Sequence, residues 1–454
     1  MEKQDLTKGN VTKTLIKYAL PMITTSLFQS VYSIVDIIVA GRFIGGNGIS
    51  AINNASLIMN LMTQIAIGLT MGGNVLISQY FGARNVEAQK KSVGTIFVLS
   101  SGFGVISGVI FFNLAEILLR LLGVPSLEFA VVYLKICAIG MPFIFGYNAL
   151  SAILRALGNS QIPMEIIIIS SCCNVVCDIL FVALFSFGIA GTAVGTLISQ
   201  VLSFILALTY VIRHREAYSF EKKYIKIDRE KAGLIIKLGF PIALQWTVAS
   251  ISWLAVAFLI NRYGINVSAG NGISNKIKDF CQLFISAMAS AGATMAAQNL
   301  GAKEYERGRK VMIDCMKINL LIATILIILA EIFAPVLVSI FSTDAAVLEV
   351  AVVNLRIEII AQWFYAGFLT FNVLATGAGD TMFVLANSFL NCIVVRLVLA
   401  FILEHFMGVM GVYIACMVAP LSSVPVGYWY YKSNKWKKSI GTEKKKTERR
   451  QCSV

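Results

Sequence analysis

Twelve long apolar runs constrain this chain more than any other feature. They lie near 15–42, 50–79, 92–119, 128–155, 162–186, 189–213, 233–262, 270–298, 311–338, 346–376, 382–404 and 409–431. A helix needs ~20 apolar residues to cross the hydrocarbon core of a bilayer. Each run is long enough, and the longest predict tilted helices or helical extensions beyond the bilayer. Charged residues make up only 14% of the chain. A water-covered domain carries roughly 25%. The sequence therefore predicts an all-α integral membrane protein with lipid as its main partner. The first run starts near Leu15 and is about 28 residues long. It lacks the short core and small-residue cleavage site of a removable signal.

Charge placement sets the orientation. The net charge is +14, and the tail 432–454 holds nine Lys/Arg against two Glu. Lys3, Lys8, Lys13 and Lys17 precede or open the first run, and Arg84, Lys90 and Lys91 follow the second. The segment 213–237 holds eight Lys/Arg, and Lys303, Arg307, Arg309 and Lys310 follow the eighth run. All of these fall on one side if every run spans, while Arg42, Arg120 and Arg262 lie on the other. The positive-inside rule then puts both termini in the cytoplasm of a multi-pass plasma-membrane protein. Basic residues confined to short connections in this way do not predict nucleic-acid binding. The expected layout is an N-terminal arm (1–14), an N-lobe (15–213), a cytoplasmic linker (214–232), a C-lobe (233–431) and a basic cytoplasmic tail (432–454).

The two halves repeat. Ile16-Lys17-Tyr18-Ala19-Leu20-Pro21 resembles Ile236-Lys237-Leu238-Gly239-Phe240-Pro241 at an offset of 220. Gln79–Arg84 resembles Gln298–Lys303, Ala156–Ser160 resembles Gly377–Thr381, and Gly191 matches Gly411, at offsets of 219 to 221. Six spans per half make the repeats parallel, a transporter architecture with a central cavity as the expected binding site. Small residues four apart, Gly68/Gly72, Gly104/Gly108 and Gly191/Gly195, suit close helix packing.

Several function classes are disfavoured. No G-x-x-x-x-G-K-[ST] pattern occurs, so direct ATP coupling has no support. His214 and His405 are the only histidines and stand far apart, and the cysteines inside the apolar runs lack paired spacing. No enzyme and no cofactor is expected.

Charged groups inside spanning helices are costly and tend to be functional. Asp36 lies in helix 1 and Asp178 in helix 5. At 1.5 Å per residue, Asp36 sits ~10 Å, and Asp178 and Thr196 ~12 Å, below the outer helix ends. Asn174 is one turn before Asp178 on the same face. Four oxygen-bearing side chains can therefore meet in the outer half of the first lobe. Two carboxylates, an amide oxygen and a hydroxyl suit Na⁺. The same pair also suits a proton, because close carboxylates in a poorly solvated site cannot both stay ionised. Two separate packing aspartates, each bonded to a hydroxyl, are the competing arrangement.

The second lobe reads differently. Helix 7 carries Gln245 and Thr247 but no acid in its apolar stretch. Glu349, Arg356 and Glu358 read as a salt-bridged surface near the start of helix 10, with no acid deep in that helix. Arg396 is expected to pair with a carboxylate or a helix end. Glu116 and Glu331 take matching interfacial places. Gln29, Tyr32, Asn60, Met62, Gln64, Gln245, Trp246, Trp253, Met288, Tyr365 and Asn372 could line a cavity for bulky amphipathic solutes. Each equally fits a lipid-facing or packing position.

Taken together, Leu6-Thr7-Lys8-Gly9…Leu20-Pro21, Tyr32…Asp36…Gly41-Arg42, Gln79–Ala83, Arg155–Ser160 and Asn174…Asp178 resemble the multidrug and toxic compound extrusion (MATE) family. The likeness runs from Leu6 to about Tyr431, and the opening is similar to the MepA-like branch. The resemblance implies a twelve-helix, two-lobed multidrug efflux antiporter that exports cationic amphipathic compounds, including antibiotics, by alternating access. Inward Na⁺ or H⁺ would be the coupling ion, small organic cations the substrates, and a monomer is expected. Asp36, Asn174, Asp178 and Thr196 match the family's N-lobe cation site. The acids that serve a second branch, in helices 7 and 10, have no counterpart at Gln245 or deep in helix 10. A lipid-linked oligosaccharide or precursor flippase of the same superfamily is the alternative. That function favours cationic cavity residues over buried acids.

Overall fold

The computed structural model describes residues 4–121, 123–124 and 126–440. The distal part of the basic tail, 441–454, lies outside the described residues. The described chain is almost wholly helical. The first half contains α1 (Val11–Phe43), α2 (Gly46–Gly82), α3 (Val86–Leu121), α4 (Leu127–Ile139), α5 (Met141–Ala156), α6 (Gln161–Leu184) and α7 (Gly188–Arg213). The second half contains α8 (Arg229–Asn261), α9 (Ile265–Gly301), α10 (Tyr305–Ser339), α11 (Ala345–Ile359), α12 (Ala361–Gly377), α13 (Thr381–Met407) and α14 (Val409–Lys432).

Ten of these helices are long and apolar enough to cross a membrane by themselves, and α4 with α5 makes an eleventh span bent by 47°. The break falls at Gly140. A helix break recurs 220 residues later at Ile360, between α11 and α12. Side chains such as Ile34, Ile106, Leu254, Phe258 and Ile332 stay exposed along the helices, as lipid contact requires.

Backbone conformation repeats as closely as sequence. Left-handed residues occur in pairs: Gly45 with Gly264, Arg84 with Lys303, Gly158 with Gly379, and Gly188 with Gly408. Each pair is separated by 219 to 221 positions. Such φ values cost an L-residue energy outside turns, so four matched pairs mean that the same turns join the same helices in both halves. Both α1 and α8 carry an internal proline, Pro21 and Pro241.

The chain forms two compact units, and their borders fall inside helices. Among the described residues, one contains Thr24–Ala243 and the other contains Leu6–Ile23 and 244–440. The borders thus lie two residues beyond the matched prolines. In the first unit, the predicted small-residue packing is present: a Cβ on Gly68 would stand 2.6 Å from the Ala243 backbone, and one on Gly72 2.5 Å from Gly239 N. The segment between α7 and α8 is strapped onto this unit. Tyr218 and Phe220 are buried. Asn159 Nδ2 donates to Tyr218 OH (2.8 Å), Gln89 Nε2 to Ser219 Oγ (2.7 Å), and Lys90 pairs with Glu221 (2.5 Å). Gly94 has no side chain because the Tyr224 carbonyl fills that space.

In the second unit, the segment before α1 is buried against α9 and α10. The Leu6 amide donates to Gln298 Oε1 (3.2 Å), Thr12 Oγ1 to Asp314 Oδ2 (2.7 Å), and Arg307 to the carbonyls of Lys8 (2.7 Å) and Gly9 (2.8 Å).

Candidate functional site

In the first unit, α1 supplies Asp36, α6 supplies Asn174 and Asp178, and α7 supplies Thr196. Asp36 is 7% exposed, Asn174 1% and Asp178 0%. The Asp36 and Asp178 carboxylates come within hydrogen-bonding reach of each other. Neither can donate when ionised. Accordingly Asp36 Oδ1, both oxygens of Asp178 and both polar side-chain atoms of Asn174 have no hydrogen-bond partner among the described residues. A buried charge without a counter-charge costs several kcal/mol. Two buried carboxylates this close together have the chemistry to share a proton or to hold a cation between them.

Local structure builds this approach. Asp178 closes the α-helical part of α6, and residues 179–184 continue it with π-helical geometry. Wide turns of this kind are frequent at functional sites. Gly195 lets α7 come close. A Cβ there would stand 2.5 Å from Asp178 Oδ1 and 3.3 Å from Cys177 Cβ. The Thr196 hydroxyl donates to the Thr192 carbonyl at 3.0 Å, which leaves its oxygen free to accept.

Two further residues of α4, neither of them expected from the sequence, join the cluster. Tyr133 reaches Thr196 and Cys137 with its hydroxyl, and both Tyr133 and Cys137 lie near both aspartates. They are four residues apart on one helix face, but in an apolar run a tyrosine and a cysteine read as packing. Tyr32 lies near Asp36 and is half-buried.

The second unit departs from expectation. Glu358 of α11 is not part of a surface. It is 2% exposed and forms an ion pair with Lys278 of α9, itself 4% exposed. The break at Ile360 places Glu358 deep in its span, so an acid does exist there. Arg356 points away and pairs with Glu331 at 3.7 Å. Arg396 meets no carboxylate: its guanidinium lies 4.4 Å from the Trp253 ring centroid and donates to Ser252 Oγ at 3.5 Å. The Lys278 ammonium lies 5.3 Å from the same ring. Nearby, Asn354 Nδ2 donates to Asn271 Oδ1 at 3.0 Å. The run Lys276-Ile277-Lys278-Asp279 in α9 is the missed signal. At the outer end of α3, Glu116 pairs with Arg120 at 2.6 Å.

The cavity candidates divide by burial. Gln29 and Asn60 are exposed, while Tyr32, Met62, Gln64, Gln245, Trp246 and Tyr365 are half-buried. Met288 and Asn372 are buried in the second unit, where Asn372 Oδ1 accepts from Asn387 Nδ2 at 3.3 Å. All eight described cysteines are free, and no group of three or more His, Cys, Asp or Glu side chains among the described residues could hold a metal ion.

Comparison with known proteins follows the same outline. Residues 21–180 and 241–402 match the MatE family, one block in each half. The probable multidrug resistance protein YoeA of Bacillus subtilis is 29% identical over 449 residues, covering 96% of both chains. The multidrug export protein MepA of Staphylococcus saprophyticus is 26% identical and covers 91% of both. Among solved structures, an outward-facing multidrug resistance MATE transporter of the MOP superfamily superposes with a TM-score of 0.90 at 21% identity, covering 96% of this chain and 98% of its own. A MOP superfamily transporter from Pyrococcus furiosus superposes with a TM-score of 0.91, also at 21% identity, covering 96% and 99%.

Proposed function

Because the chain belongs to the MatE family of multidrug efflux transporters, we propose that it is a secondary antiporter driven by an inward cation, Na⁺ or H⁺, bound at Asp36 and Asp178. The observation that carries this reading is the pair of buried carboxylates with no donor. Asn174 and Thr196 supply neutral oxygens to the same cation. Gly195 keeps the site compact enough for both carboxylates to reach one ion.

The cycle follows from charge. A cation entering from outside neutralises the pair and favours the conformation that releases the drug outward. Its release to the cytoplasm leaves the carboxylates unsatisfied and favours the conformation that takes up the next drug. The concentration gradient of the coupling cation does the work: when one cation enters as one monovalent cationic drug leaves, no net charge crosses, and each further cation that enters adds ~2.3 kcal/mol per 100 mV. The exported compounds are cationic and amphipathic, and the half-buried Tyr32, Gln64, Trp246 and Tyr365 are proposed contacts. The Lys/Arg bias supports a plasma-membrane protein with both termini in the cytoplasm.

The test is efflux of a fluorescent organic cation from proteoliposomes under separately imposed Na⁺ and pH gradients. Asp36→Asn abolishes gradient-driven efflux while thermal unfolding shows a folded protein. Unimpaired efflux by that variant overturns the proposal.

A further inference from the structure

The second unit contains a charged cluster that the exporter cycle above does not use. Its location matches the first site even though its residues do not. Thr196 and Cys416 stand 220 positions apart. Thr196 faces its unit's charged cluster through Tyr133. Cys416 lies among Glu358, Lys278 and Arg396. The helices that contribute charge have changed. Position 256, matching Asp36, is a buried valine, and position 138, matching Glu358, is a buried alanine. The repeat thus puts acids beside a matched position in both halves, Thr196 and Cys416, but from different helices.

The two acids differ in what balances them. In the first unit, no side chain donates to the aspartates. In the second, the Lys278 ammonium bonds Glu358 directly, and the Trp253 ring faces both Lys278 and Arg396. A ring face over an ammonium adds attraction where water is scarce. Lys278 holds the place that an exchangeable cation would otherwise take.

We propose that Lys278 is a tethered cation that permanently occupies the second unit's ion position, so that Glu358 takes up no coupling ion and the protein exchanges cations through the first unit alone. The meaning for transport rests on the exporter reading, but the occupancy of Glu358 does not. A corollary is that loss of the ammonium, with its stem left in place, turns Glu358 into a new cation site.

The experiment measures thermal unfolding of the purified full chain in NaCl against choline chloride, and across pH. Asp36→Asn/Asp178→Asn removes the first site. On that background the proposal expects no Na⁺-dependent rise in Tm. Adding Lys278→Met creates one, or creates a new proton dependence, and adding Glu358→Gln as well removes it. Residual Na⁺ stabilisation in Asp36→Asn/Asp178→Asn overturns the proposal, and so does a folded Lys278→Met variant with no new cation dependence. If Lys278→Met does not fold, the first arm still decides, because it leaves Lys278 in place. If the unaltered protein shows no cation dependence at all, the reading of Asp36 and Asp178 fails, while the Lys278→Met arm continues to test the tethered cation.

Discussion

The two units share a backbone plan and differ in how they balance buried charge. One keeps two carboxylates without a donor. The other keeps one carboxylate and an ammonium from its own chain. Repeated turns at Gly45/Gly264 and Gly158/Gly379 show how well the plan is held. The difference teaches that a fold can keep a charged cluster beside a matched position while the residues that create it move between helices. A site with no resident counter-charge can load and unload; a site with one is fixed.

Removing a charge from each unit should therefore have opposite consequences. Glu358→Gln leaves Lys278 buried without its anion. Breaking a buried pair costs about 3–5 kcal/mol, and a large fall in Tm in both NaCl and choline chloride is expected. A near-neutral result would break the contrast. Asp178→Asn removes an uncompensated charge instead. Stability in the absence of Na⁺ should rise, because a buried unpaired charge carries a desolvation penalty of several kcal/mol, while gradient-driven efflux is lost. A destabilised Asp178→Asn would mean that the first unit already balances its acids. Gly195→Ala sharpens the picture at smaller cost. Its methyl meets Asp178 Oδ1 and forces α6 and α7 apart, with about 1–3 kcal/mol lost to overpacking. The concentration of cation needed for half-maximal efflux should rise more than Tm falls.

Much of the architecture is readable before any coordinates. Spans must be long and apolar whatever they pack against, so the twelve runs and their repeat survive into the helices. Asp36, Asn174 and Asp178 stand out because they interrupt such runs, and α1 and α6 bring them together. Three other features resist sequence reading for identifiable reasons. Glu358 stands in a charged run with Glu349 and Arg356, which suggests an exposed face. Two positions apart on one helix, Arg356 and Glu358 point to opposite sides; Arg356 reaches Glu331 and Glu358 reaches Lys278. Lys278 sits beside Lys276 and Asp279, and a mixed cluster in a span tolerant of Gly and Ala looks like a helix end. Tyr133 and Cys137 carry polar atoms too modest to break an apolar pattern. Only the approach of α4 to α7 gives them a role.

The burial of Leu6–Ile23 in the second unit has a consequence for how the protein is made. Leu6 and Thr12 find their partners at Gln298 and Asp314, 292 and 302 residues later. At roughly 5–20 residues per second, this segment waits on the order of a minute or less for its binding surface to emerge. During that interval it is an amphipathic, lysine-bearing stretch beside a membrane, held by nothing downstream. Each unit is completed by helix turns from the other half of the chain, Leu6–Ile23 in one and Arg229–Ala243 in the other. A chain cut between α7 and α8 would separate each unit from the turns that complete it.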